Sequence, residues 1–138
     1  MDALAQPAHD LRQLQLRRDQ TRALVDHHRD LAARLSQVHG ERNDGNTRMD
    51  VAVPLGMGFE AEGVVPDTSR VIVAAGLDDL FLDLELDQAL SFVDKRTQIL
   101  EHKLRALDEH VARLEKEHEM VVKTLRTAFQ LPDDDGRA

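Results

Sequence analysis

From Leu86 to Leu125 the chain reads LDQALSFVDKRTQILEHKLRALDEHVARLEKEHEMVVKTL, and alternating steps of four and three from Leu86 decide the architecture. They fall on Leu90, Val93, Thr97, Leu100, Leu104, Leu107, Val111, Leu114, His118, Val121, Leu125 and Ala128, and only Thr97, His118 and Ala128 are neither Leu nor Val. Apolar residues every 3.5 positions form the seam of a coiled coil. Leu90, Leu104, Val111 and Leu125 make one core row, and Leu86, Val93, Leu100, Leu107, Leu114 and Val121 the other. Charged residues such as Lys95, Glu101, Lys103, Glu109, Arg113 and Glu117 fill the positions between. The spacing predicts a helix over 86–130, roughly 60 Å long at about 1.5 Å per residue. Beyond it, Leu131-Pro132 and Asp133 to Gly136 read as a helix stop followed by a disordered acidic tail over 131–138.

A coiled-coil helix needs a partner, and the other end of the chain supplies one. Over 8–40, after Pro7, Leu11, Leu14, Leu24, Leu31, Leu35 and Val38 recur among many charges. Leu24, His28, Leu31, Leu35 and Val38 keep heptad spacing, whereas Arg17, Arg18 and Thr21 weaken the seam before them. Gly40 reads as the helix stop, and Glu41 to Thr47 as a polar connector.

Over 49–85 the period changes to about two and the residues become β-branched or small, which predicts strands at Asp50–Leu55, Phe59–Val65, Arg70–Ala74 and Leu80–Glu85. Gly56-Met57-Gly58, Pro66-Asp67-Thr68 and Gly76-Leu77-Asp78-Asp79 are the turns between them. Pro54 has no N–H for a ladder, so its strand belongs at an edge or turns that side outward. The expected fold is α+β: a long antiparallel helical coiled coil with two β-hairpins between its helices, in a single domain over 1–138.

Two hairpins bury little by themselves, and unpaired strand edges invite strands from other chains. The hairpins are therefore expected to join an intermolecular sheet. The candidates for that assembly are Val51, Val53, Leu55, Phe59, Val64, Val65, Val71, Val73, Phe81, Leu82 and Leu84. Near the free helix ends, Val122 and Phe129 lie beside the seam and are candidates for contact with a client protein.

Composition narrows the function. Four Phe, no Trp and no Tyr are few aromatics for a globular core of 138 residues, while charged residues make up 32%. With no Cys there is no disulfide, no thiolate metal site and no cysteine nucleophile. The net charge of -8 is concentrated in the middle: Met49–Glu85 holds eight acidic residues and one basic, against seven and eight in Met1–Arg48 and eleven and nine in Leu86–Ala138. An acidic centre with no basic stripe argues against direct nucleic-acid binding. The longest apolar run, Val71 to Leu77, is far short of the roughly 20 residues that cross a bilayer, and Met1–Leu14 has no leader pattern. A cytoplasmic protein small enough to enter the nucleus, with no membrane partner, is expected.

Catalytic and metal chemistry find little footing. His102, His110 and His118 are eight residues apart, so they rotate about 80° around the helix per step and do not converge on one ion. His118, at a seam position, is readable as an ordinary half-exposed histidine, a register-setting polar residue or a pH switch. Gly56-Met57-Gly58 lacks the following Gly-Lys-Ser/Thr of a phosphate loop, and Asp78-Asp79 lacks the spaced ligands of a calcium loop. No nucleophile, base and orienting group can be named, and no cofactor is expected.

The run Val53-Pro54-Leu55-Gly56-Met57-Gly58-Phe59, then Val64-Val65-Pro66-Asp67-Thr68-Ser69-Arg70-Val71-Ile72-Val73-Ala74-Ala75-Gly76, then Phe81-Leu82-Asp83-Leu84-Glu85-Leu86, resembles the α-class prefoldin subunits. Within them it is most similar to a prefoldin-like branch, and the likeness is specific over about Val51 to Arg96. The chain departs from the family where Gly76-Leu77-Asp78-Asp79-Leu80-Phe81 replaces the usual Gly, any residue, Gly and an aromatic. The resemblance implies a hetero-hexamer of α- and β-type subunits, with hairpins in a central β-barrel platform and coiled coils as tentacles that hold client or regulatory proteins without catalysis. A transcription-cofactor adaptor using the same coiled coil is the alternative, and a plain coiled-coil scaffold with a hairpin clasp is a third.

Overall fold

The computed structural model describes residues 2–129, with side chains from residue 5 onward. The order is α1 (Asp2–Asn43), β1 (Met49–Gly56), β2 (Phe59–Val65), β3 (Arg70–Ala74), β4 (Phe81–Glu85) and α2 (Leu86–Phe129). Helix, two hairpins, helix is thus the plan of the chain. The acidic tail expected over 131–138 lies outside the described residues, as does Gln130.

Both ends of α1 differ from expectation. It starts at Asp2 and runs through Pro7. Pro7 has no N–H to give to the Ala3 carbonyl, so it costs the helix one bond near this end. At the other end α1 passes Gly40 and stops at Asn43. The stop is a Schellman motif: Asn46 N–H donates to the Glu41 carbonyl at 2.9 Å and Gly45 N–H to the Arg42 carbonyl at 3.0 Å. Gly45, at φ 91°, takes the left-handed position that this motif requires. Gly40 has ordinary helical surroundings, and a glycine without these capping bonds ends nothing.

The hairpins form two separate antiparallel two-stranded sheets, β1-β2 and β3-β4. In the first, Met49 pairs with Val65, Val51 with Gly63 and Val53 with Ala61, with a bulge between Pro54 and Gly56. In the second, Val71 pairs with Leu84 and Val73 with Leu82. The second hairpin turn closes with Leu80 N–H on the Leu77 carbonyl at 3.1 Å and Ala75 N–H on the Leu80 carbonyl at 2.9 Å. Asp78 there has φ 46°. Asp is one of the few residues that tolerates this conformation, which accounts for a turn built without a second glycine.

The chain divides into two units. One, Val25–Ile99, holds the hairpins and the adjoining ends of both helices. Its core is Leu35, Val73, Leu86, Ala89 and Val93, with Leu31, Ala32, Val38, Val71, Leu84, Leu90 and Phe92 packed against it. The other joins the first 24 residues to the stretch from Leu100 onward. There the helices run antiparallel: Gln15 Nε2 donates to Glu115 Oε1 at 2.9 Å and Arg22 Nη2 to Asp108 Oδ1 at 3.2 Å.

The seam of α1 departs from the sequence reading. Val25 is 1% exposed and Leu24 47%, so the seam passes through Val25. Thr21, read as a weak point, is buried, and its hydroxyl donates to the Arg17 carbonyl at 2.9 Å. A threonine that satisfies itself along its own helix occupies a seam position at small cost. Arg18 lies half-buried within 3.9 Å of Asp108.

Candidate subunit-assembly and partner-binding surfaces

Alternation along β3 and β4 sorts their side chains onto two faces. Val71, Val73, Leu82 and Leu84 share the face that is buried or half-buried, and Val71, Val73 and Leu84 belong to the chain's own core. Three residues expected to face another subunit are therefore committed within this one. Paired residues of an antiparallel ladder point the same way, so the opposite face carries Arg70, Ile72, Ala74, Phe81, Asp83 and Glu85. Ile72, 71% exposed, is the apolar residue that the sequence reading missed on this face. Val71-Ile72-Val73 is apolar throughout, and such a run does not reveal which residues point inward.

The first hairpin is more open. Val53, Leu55, Phe59 and Val64 are exposed, whereas Val51 and Val65 are half-buried. At its tip Met57 is 98% exposed, with Leu55 and Phe59 on the strands beside it. Leu77, Leu80 and Phe81 are exposed around the second tip. Neither β1 nor β2 pairs with β3 or β4, so among the described residues each of the four strands keeps one edge without a partner strand.

The Val65 to Arg70 connection holds the hairpins to the helix ends. Asp67 accepts three hydrogen bonds: from the Ser69 hydroxyl at 2.8 Å, from Ser69 N–H at 3.0 Å and from Arg42 Nη1 at 2.9 Å. These donors, the Ser69 hydroxyl foremost, hold its carboxyl below the usual carboxylate range. Thr68 N–H donates to the Thr47 carbonyl at 3.0 Å, and Leu86 N–H, at the start of α2, to the Ser69 carbonyl at 3.0 Å. The Glu85 N–H is capped by Gln88 Oε1 at 3.2 Å, as in a capping box. His39 on α1 reaches Asp87 on α2 at 2.8 Å. Three connections, from Arg42, Thr47 and Leu86, thus converge on one short turn, where the sequence signals only a turn at Pro66-Asp67-Thr68.

Along α2, Leu86, Val93 and Val111 are buried, and Leu90, Leu100, Leu104, Leu107, Leu114 and Leu125 are half-buried. At Val121 the expected order reverses. Val121, assigned to the seam, is 47% exposed, while Val122, assigned beside it, is half-buried. An α-helix turns every 3.6 residues, so a strict 3.5 repeat drifts about 20° per heptad. Five heptads separate Leu86 from Val121, and the accumulated drift carries the next position into the seam. Phe129 is 69% exposed.

In the unit formed by the first 24 residues and the stretch from Leu100, a groove of about 560 Å³ is lined by Pro7, Asp10, Leu14, His110, Leu114, Glu117, His118 and Val121. Among the described residues no group of three or more His, Asp or Glu is arranged to hold a metal, although His110 and His118 share this groove. No described helix is long and apolar enough to cross a membrane.

Residues 9–131 match the family model described as prefoldin subunit. Among curated proteins, the chain is similar to human Protein UXT, 33% identical over 81 residues, which covers 59% of this chain and 51% of that protein. It is likewise similar to the Protein UXT homolog of Nematostella vectensis, 31% identical over 74 residues covering 54% and 46%. The chain thus spans about half the length of the curated relatives it matches. A chain of the filamentous PFD from Methanocaldococcus jannaschii shares the fold at TM-score 0.66 and 18% identity, covering 90% of this chain and 99% of that one.

Proposed function

Since this chain belongs to the prefoldin family, we propose that it is a non-catalytic subunit that enters a hetero-oligomer of α- and β-type prefoldin-like subunits through its hairpins and holds client or regulatory proteins along its coiled coil. One observation carries the reading. Among the described residues two separate two-stranded sheets keep free edges and exposed apolar tips, a condition that a protein resolves by pairing with further strands. Leu55, Met57, Phe59, Ile72 and Phe81 are the exposed apolar residues that such pairing would cover.

Partner capture falls to the opposite ends of the helices. The groove from Pro7 to Val121 and the exposed Phe129 offer apolar surface there, and holding of this kind needs neither nucleotide nor metal. The compartment in this reading is the cytoplasm, with access to the nucleus, where the same surface would serve a transcription-cofactor role.

Affinity purification of the tagged protein at moderate salt, with native mass determination of the recovered particle, tests the reading. A discrete particle containing several other coiled-coil and hairpin subunits supports it. A stable dimer of this chain alone would overturn it and leave a scaffold.

A further inference from the structure

We propose that the outward face of the β1–β2 hairpin selects its partner by charge, taking a subunit whose apposed strand carries Lys or Arg and rejecting a second copy of this chain. The proposal rests on the assembly reading above and names the chemistry of the partner.

The pairing of Asp50 with Val64, Ala52 with Glu62 and Pro54 with Glu60 puts three carboxylates on one face. All three residues are exposed. Arg48, just before β1, lies 3.5 Å from Asp50, but among the described residues neither Glu60 nor Glu62 has an ion-pair partner. Neither strand contains a basic residue. Arg70 is the one base between Met49 and Glu85, and it is held within its own hairpin by Asp83 at 3.0 Å, with Glu85 at 4.0 Å.

Strand addition makes this arrangement selective. β1 contains Pro54, which has no N–H to give, whereas every residue of β2 has one, so the β2 edge is the better template. A strand added there would bring its same-face side chains within about 5 Å of Glu60 and Glu62. If the added strand were β1 or β2 of a second copy, every charged group it brought would be another carboxylate, and like charges facing across a ladder destabilise it. A Lys or Arg strand would neutralise the pair and lay an aliphatic stem along Val64, the apolar neighbour of the two acids on the same face of β2.

The test uses the full chain in three forms: wild type, the reversed variant Asp50→Lys/Glu60→Lys/Glu62→Lys, and the neutral variant Glu60→Gln/Glu62→Gln. All changes are at exposed side chains, and helical content by circular dichroism checks that each form is folded. Association is read by sedimentation and native mass, alone and in mixtures, at about 20 mM and about 500 mM salt, where screening shortens from beyond the groups' spacing to a few ångströms. At low salt, wild type with the reversed variant should associate at least about tenfold more tightly than either form with itself, and the advantage should collapse at high salt. The neutral variant should self-associate more than wild type. Equal self-association of wild type and neutral forms, with no preference for the reversed copy, would overturn charge selection and leave assembly through the hairpins standing. Absence of association in every mixture at both salts would overturn charge selection, because a Lys-bearing strand would then fail to bind the acidic face, whereas assembly with other subunits is judged separately by the mass of the purified particle.

Discussion

The guanidinium of Arg96, on α2, fills the space that a side chain at Gly76 would need, and its Nη1 donates to the Ala75 carbonyl at 2.8 Å. One residue of the helix thus ties down the second hairpin turn. Gly76 is constrained twice, because its φ of 80° also lies where a Cβ is strained. Gly76→Ala should cost about 2–3 kcal/mol, of which about 1 kcal/mol is backbone strain. In an Arg96→Ala background the same change should cost only the backbone part. Chemical denaturation of the four proteins of this cycle measures the coupling, and additive losses would mean that the guanidinium moves aside freely.

Asp67 gives the turn an acid dependence whose sign follows from its hydrogen bonds. Its carboxyl titrates below its ordinary value of 3.8 because Ser69, through hydroxyl and N–H, and Arg42 favour the charged form. A group whose folded value is lowered stabilises the fold fully above its unfolded value and loses that contribution as the pH falls through the folded one. Wild type should therefore exceed Asp67→Asn in urea midpoint at pH 6, and the gap should narrow below about pH 4 as the carboxyl protonates. A gap unchanged at pH 3 would assign the loss to geometry rather than charge.

Much of this fold was legible because its signals are local. The Leu and Val rows predict α2 from Leu86, and the turn residues bracket all four strands within a residue or two. Relations between distant segments were not legible. Nothing near Gly40 says that capping bonds form instead around Gly45, and nothing near Arg96 says that it meets Gly76. Leu24 and Val25 are both apolar and adjacent, so spacing within one helix does not say that Val25 is the buried one of the two. The hairpin face was half legible for a similar reason: apolar residues on both sides of β3 erase the period-two signal that separates Ile72 from Val71 and Val73.

Thr68 is buried, and its Oγ1 has no hydrogen-bond partner among the described residues, although its N–H is used by Thr47. A buried hydroxyl without a partner costs about 1–3 kcal/mol. Thr68→Val keeps the branched outline and removes that cost, so it should raise stability by about 1 kcal/mol, or about 3–4 °C in Tm for a chain of this length. Thr68→Ser keeps the hydroxyl, loses a buried methyl and should destabilise. A loss of stability in the valine variant would show that the hydroxyl is satisfied in solution.

The reversal at Val121 and Val122 separates packing from partner capture on adjacent residues. Val122 is half-buried, so Val122→Ser should lower stability by about 1 kcal/mol through lost apolar burial. Val121 and Phe129 are exposed, and Val121→Ser/Phe129→Ser should leave the denaturation midpoint within about 0.5 kcal/mol of wild type. If these two residues hold unfolded chains, the double variant should lose most of the ability of the assembled complex to suppress aggregation of a chemically denatured protein. Val122→Ser, assayed below its own melting range, should retain it. The opposite ranking would return the contact to Val122 and mean that the seam opens when a client is held, with the heptad phase read from the sequence as the one that operates in the bound state.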